Sequence, residues 1–254
     1  MTTVDERRSG VRRRFSPLIV SIVLAWAAVA VAHFGAGRHV LDHDALLGHG
    51  GLPSFGAVAM FAVAWVVMVT AMMLPSTVPL VRLFAATAAR QPHPRSADAA
   101  FVGGYVAVWT VFGCAALAFD GLVHHAVDTW PWLDAHHHHL VGAGVLALAG
   151  AYQLSPLKDA CLRTCRHPGA YLLAKYRRGT GAALRIGAGH GLFCLGCCWA
   201  LMLVAFALGM TQLALMAGFT ALMTYEKTGR HGVLVAEIAG LGLLIAAVAV
   251  ATHH

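Results

Sequence analysis

Hydrophobic positions fall along this chain in long blocks, not at the spacing of an amphipathic surface helix. Seven stretches are nearly free of Asp, Glu, Lys and Arg: residues 17–34, 55–74, 99–119, 140–154, 186–208, 212–225 and 232–251. A helix rises 1.5 Å per residue, so about 20 such residues cross a hydrocarbon core of ~30 Å. The pattern predicts an all-α fold, a polytopic transmembrane helix bundle of about seven spans. The fourth and sixth blocks are short, which leaves six as the alternative count. Pro75 lies at the end of the second block and predicts a kink or stop there, because it frees a backbone carbonyl.

Composition sharpens this reading. Hydrophobic residues make up 59% and charged residues 11%, against about 25% charged in a soluble domain. That excludes a secreted disulfide scaffold, a disordered chain and an ordinary cytosolic enzyme. The formal net charge is +7, and its distribution removes a nucleic-acid reading. With the amino terminus in the cytoplasm, 17 of the 18 Lys and Arg residues fall on the inner side, and only Arg38 falls outside. Such a split is the positive-inside signal, and the basic surface suits anionic lipid. It predicts the amino terminus in and the carboxyl terminus out.

Residues 1–16 read as a basic cytoplasmic tail and 17–254 as one transmembrane domain. Residues 156–185 read as its longest inner loop, in which 171–176 suit a short interfacial helix. The first block also has features of a signal peptide, but its length and the spans that follow favour an uncleaved helix.

Of the 16 histidines, 12 lie at or beyond the expected outer helix ends. These are His33, His39, His43, His49, His124, His125, the run His136, His137, His138 and His139, and His253 and His254. Neutral imidazole ligates Cu(II), zinc and nickel. A metal-collecting outer surface and a merely hydrated polar loop both fit this composition.

The cysteines carry more. Cys194, Cys197 and Cys198 lie inside the fifth block with His190 one turn earlier. At about 100° per residue these four side chains share a ~100° arc, rising about 12 Å along the helix. Met202 continues the same face. Gly187, Gly189, Gly191 and Gly196 would admit a second helix at close range. In the second block Met68 and Met72 stack one turn apart with Met73 beside them, at a compatible depth. Thiolate and thioether ligands select Cu(I) over harder divalent ions. Cys161, Cys165 and His167 form a second, weaker cluster facing the reducing cytosol, where a disulfide is not expected. Cys114 stands alone and reads as packing. Glu237 is the notable charge within a span, with a proton relay, countercharge or ion pair as its roles.

Three functions compete at this point. One is metal handling through the Cys/Met/His set, without catalysis. The second is a small-solute permease with incidental thiols. The third is a membrane redox protein, although a bis-His haem wants more deep histidines than His190.

A resemblance bears on this choice. Its residues are Trp65, Met68 and Ala71-Met72-Met73-Leu74-Pro75, then Ser155-Pro156-Leu157-Lys158 with Cys161-Leu162 and Cys165-Arg166. Gly187, His190-Gly191, Cys194, Gly196-Cys197-Cys198-Trp199 and Leu201-Met202 follow, and last Glu226-Lys227. In this order they resemble the bacterial family of metal-binding integral membrane proteins, formerly a domain of unknown function. One member accompanies a tyrosinase and is regarded as its copper chaperone. The resemblance covers roughly residues 55–230 and is most specific at Gly196-Cys197-Cys198-Trp199. It implies metal binding in a bacterial cytoplasmic membrane, with copper delivery as a candidate task and a copper-dependent oxidase or metal carrier as partner.

Overall fold

Prolines set the breaks between helices. The computed structural model describes residues 2–35, 55–129, 131–208 and 212–252. Pro75 offers no N–H to the Ala71 carbonyl, and the chain breaks at Met73 into α2 (Phe55–Met72) and α3 (Leu74–Thr87). The pair is bent by 71°. The freed Ala71 carbonyl accepts instead from Trp26 Nε1 of α1 (Thr2–Phe34) at 3.0 Å. One turn of 3-10 helix, Ala88–Arg90, closes α3, and α4 (Pro94–Thr129) follows.

The next break is built the same way. α5 (Pro131–Gln153) and α6 (Pro156–Arg166) meet at 63°. Pro156 starts α6, where its missing N–H costs nothing, and Ser155 Oγ caps the first turn by accepting from Lys158 N at 3.2 Å. Then come α7 (Pro168–Lys175), α8 (Thr180–Ala207), α9 (Leu213–Thr228) and α10 (Gly232–Thr252). No strand occurs among the described residues.

Among the described residues, four helical segments are long and apolar enough to cross a bilayer: Ser16–Phe34, Pro94–Val123, α8 and α10. Counting each bent pair as one span makes six. The expected sixth span is the difference. α9 has 16 residues, about 24 Å of helix, short of a ~30 Å core. Its last turn also buries two charged residues, Glu226 and Lys227.

The most extensive helix contact is α4 along α8. A side chain at Gly187 would collide with the backbone carbonyl of Phe101, and one at Gly104 with that of Leu184. These two glycines bring the helix backbones together. Around them lies an aromatic core of Phe61, Trp65, Phe84, Phe101, Tyr105 and Trp109, all fully buried. Trp65 Nε1 is satisfied by the Trp109 carbonyl at 2.7 Å.

Three expectations change here. The stretch 156–185 holds two helices where the sequence predicts one short helix at 171–176: α6 and α7 dock on the bundle, burying Lys158, Leu162, Tyr171 and Leu172. Cys114 is exposed on α4 instead of packed inside. Glu237 is exposed on α10, so it is not the enclosed charge. That place belongs to Glu226 on α9, whose carboxylate meets Lys158 Nζ at 2.8 Å and Gln153 Nε2 at 2.8 Å. Lys158 Nζ also donates to Gln153 Oε1. Helix geometry explains the substitution: Glu237 points away from its neighbours, whereas Glu226 faces the α5–α6 bend.

Candidate metal centre

α8 presents His190, Cys194, Cys197, Cys198 and Met202 to the interior, and all five are buried. Their common face follows from the 3.6-residue period, as the sequence predicts. Cys197 Sγ lies 3.5 Å from Cys198 Sγ and 3.2 Å from the Cys194 carbonyl, to which it donates. All six cysteines are free thiols.

The two thiol clusters expected from the sequence are in contact. α6 lies over α8 at Gly196, where an added Cβ would come within 2.6 Å of Cys161 Sγ. The absence of that side chain lets Cys165 Sγ reach to 3.8 Å from Cys197 Sγ. The Gly-Cys-Cys-Trp element therefore has a local logic. Gly196 admits α6, and its carbonyl accepts from the Tyr152 hydroxyl. Trp199 meets the Tyr152 ring edge-on at 4.8 Å between centroids. His167 is exposed at the α6–α7 junction and donates through Nδ1 to the Arg163 carbonyl at 2.8 Å.

Two residues absent from the sequence-based candidates touch Cys194. Lys227 Nζ of α9 sits 3.1 Å from its sulfur and 3.0 Å from Ser76 Oγ. The Tyr105 hydroxyl of α4 sits 3.0 Å from the same sulfur. The hydroxyl also approaches the Met73 carbonyl at 3.5 Å, and Ser76 Oγ donates to that carbonyl at 2.9 Å. Met68, Met72, Met73 and Met202 are buried in the same core, and Met73 meets the thiol network through its backbone. Glu226-Lys227 is visible in the sequence, but its partners lie far away along the chain, so periodicity alone does not reveal them.

His190 lies between two phenols, stacked on Tyr105 at 5.9 Å and tilted against Tyr171 at 5.6 Å. Its buried Nδ1 has no hydrogen-bond partner among the described residues. Tyr171 donates to the Ile186 carbonyl at 2.8 Å. Burial, reinforced by Cys165, pushes its phenol up to about 12, so it remains a donor at neutral pH. A cavity of about 220 Å³ opens between α3, the C-terminal ends of α6 and α9, the start of α7 and the body of α8, with Cys165, Arg166, His190 and Lys227 on its wall.

Among the described residues, no three His, Cys, Asp or Glu side chains stand as a formed metal shell. The thiols meet in pairs, and Lys227 holds the open side of Cys194. The side chains of His124, His125, His136, His137, His138 and His139, and the whole of His39, His43, His49, His253 and His254, lie outside the described residues.

The family model PpoB2, described as a copper chaperone, matches residues 62–250. The chain belongs to this family. Comparison with curated proteins and with solved structures finds no match. Copper handling, in general terms, follows from the membership. The matched stretch contains all six cysteines, His190, Lys227 and the Lys158–Glu226 pair, and it omits the basic tail.

Proposed function

We propose that the protein is a copper chaperone of the bacterial cytoplasmic membrane, with its amino terminus inside. It holds Cu(I) at Cys194, Cys197 and Cys198, completed by His190 or by Met72, Met73, Met68 or Met202, and hands it to a copper-dependent partner. The observation that carries this reading is the packing of three buried thiols on one face of α8 in a family of copper chaperones. Soft sulfur ligands prefer Cu(I), and a water-excluded core protects that ion from oxidation. Charge supports it too. Two thiolates on Cu(I) carry a net charge of −1, costly to bury alone, and the Lys227 ammonium lies beside them to cancel it. To let Cys194 close on the ion, Lys227 keeps its bond to Ser76 and gives up the sulfur.

The outer histidines are an additional, weaker place for Cu(II) or zinc. The lipid bilayer and a copper-using enzyme such as a tyrosinase are the partners, and the activity is delivery without catalysis.

The test is metal analysis of protein purified anaerobically without affinity resin, so that histidine runs scavenge no nickel. Copper bound per chain, with X-ray absorption showing sulfur neighbours at about 2.3 Å, is expected. Copper-free protein after reconstitution with Cu(I), or a shell of nitrogen and oxygen alone, contradicts the reading.

A further inference from the structure

Cys165 stands between the cavity and the buried thiols. It is half-buried, lines the cavity and reaches Cys197. Metal–sulfur bonds of about 2.3 Å put two sulfurs on one ion ~3.8 Å apart at an angle of about 110°. That is the Cys165–Cys197 separation, so one ion can bridge the two helices without moving either. The next step inward is shorter, 3.5 Å to Cys198.

The charge of the cavity wall decides what arrives there. Arg166 and Lys227 line it. No carboxylate is among its lining residues, and that of Glu226, next to Lys227 in the chain, is committed to Lys158 and Gln153. A bare monovalent cation is repelled by such a wall, whereas Cu(I) bound by two thiolates is an anion and is attracted. His190, whose buried Nδ1 has no partner among the described residues, puts an imidazole, a ligand type that suits copper, on the same wall.

We propose that Cys165 is the transfer ligand of a copper relay, receiving Cu(I) from a small anionic thiolate complex at this cavity and passing it to Cys197. The proposal rests on the buried Cu(I) site above. Each step is ligand exchange with no change of oxidation state. Cys165 sulfur bonds to Cu(I), its proton goes to the departing donor thiolate, and one donor thiol leaves. Cys197 displaces the second donor thiol in the same way. Cys198 or Cys194 then bonds to the ion and gives its proton back to Cys165 as the Cu–Cys165 bond breaks.

The experiment follows the rate of loading of the full-length apoprotein, anaerobically in lipid nanodiscs, together with its final copper content. The probes are the Cu(I)–glutathione complex, an anion, and the Cu(I)–acetonitrile complex, a cation. Loading from glutathione should slow as salt is added, and loading from acetonitrile should not. Arg166→Gln should slow only the glutathione reaction, by about tenfold, and Arg166→Lys should restore it. Cys165→Ser should slow both probes while leaving the final copper content unchanged. If Cys165→Ser and Arg166→Gln load fully at the wild-type rate, the relay is wrong and the buried site stands. If Cys165→Ser lowers the final copper content, Cys165 is a resident ligand and the relay is again wrong. A wild-type protein that takes up no Cu(I) defeats the buried site itself, and the relay with it.

Discussion

The sulfurs of Cys165 and Cys197 lie 3.8 Å apart although 32 residues separate them in the chain. Two features bring them together: the bend after Gln153, which folds α6 back onto α8, and Gly196, which leaves room for Cys161 at the crossing. Neither cysteine is remarkable as a single position. Their contact turns two clusters into one path from a cavity wall to the core.

Mild oxidation with diamide should therefore join Cys165 to Cys197, since both thiols are free and already touch. Peptide mapping by mass spectrometry should find the cross-link in wild-type protein and lose it in Cys165→Ser. Cu(I) loaded beforehand should suppress it. A cross-link of Cys165 to Cys161 instead would contradict the arrangement of α6 on α8.

Gly187→Ala should damage the fold more than Gly181→Ala in the same helix. The first inserts a methyl group against the Phe101 carbonyl, whereas nothing lies within 4 Å of the second. Overpacking of this kind costs about 1–3 kcal/mol. Thermal unfolding in detergent, monitored by circular dichroism, should show a lowered midpoint for Gly187→Ala alone.

Removing one partner of the Lys158–Glu226 pair leaves a buried charge without compensation. Glu226→Gln should therefore cost about 3–5 kcal/mol, while Lys158→Met combined with Glu226→Leu should cost less. Their unfolding curves check this, because equal losses in the single and double variants would mean that the pair carries no buried-charge penalty.

The sequence makes the helical class and the α8 thiol face legible, because block length and the 3.6-residue period act locally. Met72, Met73 and Pro75 are also legible as a break. The limits appear where contacts are distant. Glu237 stands out as a charge in an apolar block, yet only tertiary packing decides that it is exposed and that Glu226 is enclosed. α9 reads as a span by composition but is too short for one. Cys161 and Cys165 read as a surface cluster, since nothing local announces that α6 folds over Gly196. Lys227 and Tyr105 reach Cys194 from α9 and α4, contacts that no spacing rule supplies.

The central claim is that the α8 thiols hold Cu(I), and the affinity of the Cys197→Ser/Cys198→Ser double variant for Cu(I) tests it most directly. Serine is nearly isosteric with cysteine and can bond to the carbonyl one turn back, so the helix should persist. Titration against a chromophoric Cu(I) chelator, anaerobically and with the wild type alongside, gives the affinity. The double variant should lose tight Cu(I) while keeping weak Cu(II) or zinc binding, and deletion of His136, His137, His138 and His139 should do the reverse. Wild-type Cu(I) affinity in the folded double variant would return these cysteines to packing and contradict the account.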